Sequence, residues 1–118
     1  MYYEDLLAVP YKTNGRELSG MDCYGLVIEC CRRVGKDLHD VVYASEKVPY
    51  AELTDYVKNL NVIEIDSAKA NCIVQCEYEG MLHLCFMIDK TYCIHATVYG
   101  VRVSPVGVMR NKKYFEVL

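Results

Sequence analysis

The 118-residue chain contains no tryptophan, no apolar run that approaches a membrane span, no stripe of basic residues and no Cys-x-x-Cys pair. The first of these has no functional reading. Without a long apolar run, nothing in the sequence predicts a helix that crosses a bilayer. The opening MYYEDLLAVPY is acidic and has neither the basic n-region nor the long h-region of a secretory signal. The chain is therefore expected to be made in the cytoplasm with no signal peptide. Its 13 lysines and arginines are scattered against 16 acidic residues, for a net charge of −3, and give a phosphate backbone no track to follow. Neither nucleic acid nor membrane is an expected partner. Without a Cys-x-x-Cys pair, dithiol redox chemistry lacks its usual motif, and so does a zinc knuckle. No internal repeat, linker or biased segment divides the chain, so residues 1–118 are expected to form a single domain.

What is present is ordinary in bulk, at 53% hydrophobic and 25% charged residues, and sufficient for one core. Seven cysteines is an odd number, and their spacings do not repeat like a disulfide framework, which predicts mostly free thiols in a reducing compartment. After Asp22, the side chains Cys23, Leu26, Val27, Cys30, Cys31 and Val34 fall on one helical stripe, with Asp22 as N-cap and Gly35 as stop. A second helix is expected to start at Pro49, with Tyr50, Leu53, Val57 and Leu60 as its stripe. Residues 2–8 suggest a short opening helix. Beyond residue 60 the period becomes two: NVIEI, CIVQCEY, LHLCFMI, YCIHATV, GVRVSPV and KKYFEVL read as strands. Helices first and strands after them predict an α+β fold, with N-terminal helices on a mainly antiparallel sheet of five or six strands.

This layout separates the cysteines of SGMDCYGLVIECCRRVG. Cys30 and Cys31 lie mid-helix on the buried stripe and read as core. Cys23 lies in the first turn, where unsatisfied N–H groups and the helix dipole favour a thiolate, and a polar loop precedes it. Such a thiol needs a base. His39, in KDLHD, reads as solvated. His83 and His95 lie symmetrically about Asp89. A hairpin turning near Asp-Lys-Thr would set His83 against His95 and Cys85 against Cys93, all on one face of the strands. That face is then available to receive the start of the helix.

Three readings compete for this cluster. Two histidines and two cysteines have zinc-ligand chemistry, but four side chains on a flat ladder surround a tetrahedral ion poorly. Neutral core histidines with inert thiols form the structural reading. In the third, His83 is the general base for Cys23 and His95 orients His83 through its other ring nitrogen.

The segments VPYKTNGRELSGMDCYGLV and LHLCFMIDKTYCIHATVYGVRVSPV together resemble the NlpC/p-sixty cysteine peptidases, papain-like enzymes that cut the stem peptides of bacterial peptidoglycan. The resemblance implies a papain-like NlpC-type fold, with Cys23 as nucleophile, His83 as base and His95 as the orienting residue. It places Tyr11 on the site's oxyanion side and Asp22 before the nucleophile. Tyr24 stands where the family usually has a serine that in some members binds the amino end of the stem peptide. Tyr11, Asp22 and Tyr24 are thus the expected substrate-binding residues. ANCIVQC replaces a strand motif that usually begins Gly-Asp-Leu, and Cys85 stands in place of a glycine.

The implied activity is hydrolysis at the bond between D-glutamate and the diamino residue, acting on peptidoglycan or muropeptides. Acyl transfer to a thiolate requires no metal and no organic cofactor. A cytoplasmic product reaches the wall only if delivered, which makes phage-tail or secretion-system proteins the expected partners. Two alternatives remain: a catalytically silent structural or adaptor protein, as in a phage tail, and a papain-like transferase or deamidase using the same residues.

Overall fold

A computed structural model describes residues 1–40 and 60–118. The helix expected from Pro49 falls, Leu60 aside, outside the described residues. A 3-10 turn at Glu4–Ala8 takes the place of the expected opening helix. A small ribbon follows, with β1 (Arg16–Glu17) antiparallel to β2 (Gly20–Met21). It leads directly into α1 (Cys23–Arg33).

Both ends of α1 are set by local chemistry. Asp22 is the N-cap, and its carboxylate accepts the Gly25 N–H at 2.8 Å. At the other end Gly35 has φ 80°, its N–H donates to the Arg32 carbonyl, and the Lys36 N–H donates to the Cys31 carbonyl. That pair of bonds is a Schellman motif, and the left-handed residue it needs is supplied at no steric cost by glycine. Arg33 ties the helix to the opening turn through two hydrogen bonds to the Asp5 carboxylate.

The other described strands form one sheet: β3 (Val62–Ile65), β4 (Ile73–Tyr78), β5 (Met81–Met87), β6 (Tyr92–Thr97), β7 (Gly100–Pro105) and β8 (Arg110–Val117). Its order is β3-β8-β4-β5-β6-β7, and every neighbouring pair is antiparallel. The fold is α+β, with one helix packed on a six-stranded antiparallel sheet among the described residues.

Both faces of the central strands are buried, which is why β4, β5 and β6 read as nearly continuous apolar runs. On one face, Tyr24, Leu26, Val27, Cys30 and Cys31 of α1 pack with Leu82, Leu84, Phe86, Ile94, Ala96 and Phe115. On the other, Val74, Cys76, Cys85, Met87, Cys93 and Met109 form a second core. The helix therefore lies against the leucine and phenylalanine face. The expectation that the face carrying His83, Cys85, Cys93 and His95 receives it is overturned. That second face is closed instead by the chain around Cys72 and Met109.

The β5–β6 register also differs from the expected one. Phe86 pairs with Ile94 and Met87 with Cys93, two residues away from a Cys85–Cys93 pairing. Asp89 is responsible, because its carboxylate accepts the N–H groups of both Thr91 and Tyr92 at 2.8 Å and centres the turn on Lys90. A shift of two preserves side-chain parity, so the two histidines and two cysteines still share a face.

The loop before α1 fits against the helix only because two glycines meet there. A Cβ on Gly25 would lie 2.1 Å from the Gly15 carbonyl oxygen, which is backbone and has no rotamer to escape into. Alanine ordinarily exceeds glycine in a helix by up to about 1 kcal/mol. Here the sign reverses: Gly25→Ala is expected to lower unfolding free energy by about 2 kcal/mol or more, measurable as a reduced urea midpoint with an unchanged slope.

Candidate active site

Cys23 is the first residue of α1 and is buried, at 1% exposure, in the core that also holds Leu82, Leu84 and Ala96. The residue before it organises its surroundings. Asp22 is fully buried, and beyond the Gly25 N–H its carboxylate accepts the Asn14 N–H and the Arg16 guanidinium, each at 2.9 Å. A buried carboxylate with three donors is satisfied, whereas one left bare would be costly. Arg16 continues to Asp40 and lies over the Tyr24 ring, with 5.3 Å from guanidinium carbon to ring centroid. Tyr24 itself is fully buried, and its hydroxyl donates to the His39 carbonyl. The structure therefore places Asp22 and Tyr24 in the framework beneath the site, away from the open surface expected of substrate contacts.

His83 on β5 and His95 on β6 are brought together. His83 Nε2 and His95 Nδ1 are 2.9 Å apart, and His95 Nε2 lies 2.9 Å from the Ser104 hydroxyl on β7. Tyr78 covers both rings, stacking on His83 at 4.9 Å and meeting His95 edge-on at 5.4 Å. Burial, with His95 as a lesser cause, pulls the His83 pKa down to about 3. Burial, with Arg102 as a lesser cause, pulls that of His95 down to about 4. Both rings are neutral at neutral pH, so the bond between them has one donor and one acceptor. If His83 is to accept a proton at Nδ1, its Nε2–H donates to His95 Nδ1. His95 must then carry its proton on Nε2 and donate to Ser104. The Ser104 hydroxyl, which can accept or donate, partners His95 Nε2 in this arrangement. It was not singled out in the sequence, where the only signal was one hydroxyl in GVRVSPV.

A pocket of about 350 Å³ opens onto His83 and is lined by Tyr11, Tyr78, Thr97, Tyr99 and Arg102 among others. Adjacent residues of opposite parity, Leu82 with His83 and Ala96 with Thr97, share its wall. This happens where a sheet ends and its two faces run together. Tyr11 thus stands beside His83. Cys23 does not line this pocket; it lies on α1, which packs across β5 and β6.

The remaining thiols are buried. Cys30 and Cys31 are buried, and burial drives each pKa up to about 12, as expected of core residues. Burial also raises that of Cys85 well above the ordinary thiol value. None of the seven cysteines is in a disulfide. His83, Cys85 and His95 nevertheless place one ligand atom each within 4.8 Å of one another, a set with the chemistry to hold a metal.

Among solved structures, the chain matches the NlpC/p60 domain of the peptidoglycan hydrolase SagA at 20% identity, with a TM-score of 0.61 over 98% of this chain and 92% of that one. The papain-like NlpC-type α+β fold is therefore shared. No family model matches the chain, and no curated protein does.

The imidazole pair makes stability pH-dependent. The unfolded histidines take up protons below about pH 6.5, while the folded ones remain neutral to about 3 and 4. The unfolded state binds more protons across this window, so stability falls as pH is lowered from about 6.5 towards 4. Each ring contributes a slope approaching about 1.4 kcal/mol per pH unit in that interval. Urea midpoints at pH 7, 6 and 5 should show this loss above the range where carboxylates protonate, and His83→Gln should reduce the slope by about half. Imidazole nitrogen spectra test the role of Ser104. A His83 that accepts at Nδ1 requires the Nε2–H tautomer at His95 in the unaltered protein, and Ser104→Ala, which removes the partner of that nitrogen, should cost about 1 kcal/mol of stability while Ser104→Thr retains it.

Proposed function

We propose that the protein is a cysteine peptidase acting on the stem peptides of peptidoglycan, with Cys23 as nucleophile, His83 as general base and His95 as the orienting residue. The observation that carries this reading is the buried His83–His95–Ser104 hydrogen-bonded chain, located on a fold shared with a peptidoglycan hydrolase domain. A core histidine pair needs no fixed tautomer. A general base needs Nδ1 free to accept, and the Ser104 hydroxyl supports that tautomer by accepting from His95 Nε2–H.

In the resting state both imidazoles are neutral, held so by burial, which leaves His83 able to accept a proton. The Cys23 proton passes to His83 Nδ1 as the sulfur bonds to the peptide carbonyl carbon. Backbone N–H groups in the first turn of α1 receive the oxyanion. His83 then protonates the departing amine, and water attacks the thioester with His83 again accepting a proton. As charge develops on His83, His95 accepts its Nε2–H and Ser104 holds His95. Tyr11, on the pocket wall, flanks the substrate. The bond assigned is that between D-glutamate and the diamino residue, and delivery to the wall is assigned to a phage tail or secretion system. The bond assignment rests on the sequence motifs, and the delivery assignment on the need to carry a wall-directed enzyme to its substrate.

The burial of the Cys23 thiol at 1% exposure favours one competing reading, a protein that keeps this fold without turnover. Defined muropeptides incubated with reduced protein separate the two. Under the peptidase reading, mass spectrometry shows a fragment pair that has gained one water, and Cys23→Ser lowers its rate by at least about a thousandfold. Intact substrate after prolonged incubation, with Cys23 reduced and His83 in place, would favour the silent protein. A product in which an amine has replaced the leaving group would indicate transfer, and one in which water has replaced ammonia would indicate deamidation.

A further inference from the structure

Four ligands on a flat ladder make a poor zinc site, but three do not. His83 and Cys85 are two residues apart on β5 and project to the same face. The Phe86–Ile94 and Met87–Cys93 pairs, carried one pleat further, set His95 opposite Cys85. Two ligands spaced i, i+2 on one strand and a third across from them make a triangle on rigid elements. The fourth corner of a tetrahedron lies above it. All three side chains are buried, with one donor atom each within 4.8 Å of the others.

We infer that His83, Cys85 and His95 form a binding site for one Zn²⁺ ion, using His83 Nε2, His95 Nδ1 and Cys85 Sγ, with a water in the fourth position. Zinc–nitrogen bonds near 2.0–2.1 Å and zinc–sulfur bonds near 2.3 Å require donor separations of about 3.3–3.6 Å. The 2.9 Å gap between the imidazoles widens by a few tenths of an ångström as their hydrogen bond gives way to two bonds to metal. The outer shell is already built. A ligating histidine is oriented by an acceptor on its other nitrogen, and the Ser104 hydroxyl stands 2.9 Å from His95 Nε2. Of the three ligands His83 lines the pocket, and the ion enters from that side. On binding, Cys85 releases its thiol proton to solvent and ligates as thiolate.

Occupancy has a consequence that rests on the peptidase reading. With Nε2 bound to zinc, the proton on His83 resides at Nδ1, the nitrogen that reading uses to accept the Cys23 proton. Zinc thereby halts hydrolysis, and a chelator restores it.

The site is tested without turnover, on the reduced full chain stripped of metal. Equilibrium dialysis against Zn²⁺ is expected to give one ion per chain, and Co²⁺ in its place a sulfur-to-cobalt charge-transfer band in the near ultraviolet. Cys85→Ala should abolish the band and weaken zinc binding by about tenfold or more, while Cys76→Ala leaves both intact. Because Cys85→Ala removes a packed core side chain, imidazole spectra of the unaltered protein give a second readout. Zinc must shift His83 and His95 and leave His39 unmoved. A band that survives in Cys85→Ala, or zinc that leaves the His83 and His95 resonances unchanged, overturns the site. A protein that fails to cleave muropeptides yet passes these tests refutes the peptidase reading and not the metal site.

Discussion

A buried carboxylate cannot remain charged in an apolar core unless its oxygens are occupied, and Asp22 meets that condition by drawing three separate pieces of chain onto itself. One donor is the first turn of α1, one is the Asn14 backbone and one is Arg16. Removing the carboxylate would leave a loose helix start, a detached loop and a partly buried guanidinium together. Cys23 is the next residue, so the position of the thiol follows from this one constraint. Asn14 with φ 58°, the Gly15–Gly25 contact and the Arg16–Tyr24 stack are all conditions for that carboxylate to be enclosed. Asp22 and Tyr24 are both part of this enclosure.

Burial does the opposite work on the histidines. They carry no charge to satisfy, so desolvation simply holds them neutral and leaves hydrogen-bond direction as the variable to be fixed. Ser104 completes the chain from a third strand, as a partner for His95 Nε2. The chain of groups crosses β5, β6 and β7 in order, and its geometry is as rigid as the sheet. An imidazole pair built this way stays unprotonated well below neutral pH.

Much of this was legible in the sequence because it is local. The stripe from Cys23 to Val34, the Asp22 cap and the Gly35 stop sit within a few residues of one another, and the structure reproduces them. The six strands announced themselves through period two, and the turn near Asp-Lys-Thr through its aspartate. What could not be read depended on which side of the sheet was covered by what. Along β5 both parities are apolar, Leu82, Leu84 and Phe86 on one side, Cys85 and Met87 on the other. Alternation therefore identifies two buried faces and does not say which one meets the helix. Ser104 and Tyr78 escaped for a similar reason, since each matters only through a neighbour on another strand. Tyr24 was read from the position it occupies in a motif, while its side chain follows the Arg16 and His39 contacts that the motif does not contain.

The two-faced sheet also bears on where chemistry can occur. A thiol on a helix that packs against one face, and a base whose side chain has the other parity, cannot meet across the middle of a sheet; the backbone ladder stands between them. They can meet only at its end. His83 lies two residues into β5, just past the Glu79–Gly80 turn, where both residues have positive φ and the chain reverses tightly. The pocket draws its wall from both parities at this end. Under the peptidase reading, the short β4–β5 turn and the placement of His83 beside it are what bring an imidazole from one face within reach of a thiol from the other. The Cys85 sulfur lies one pleat deeper, in the second core.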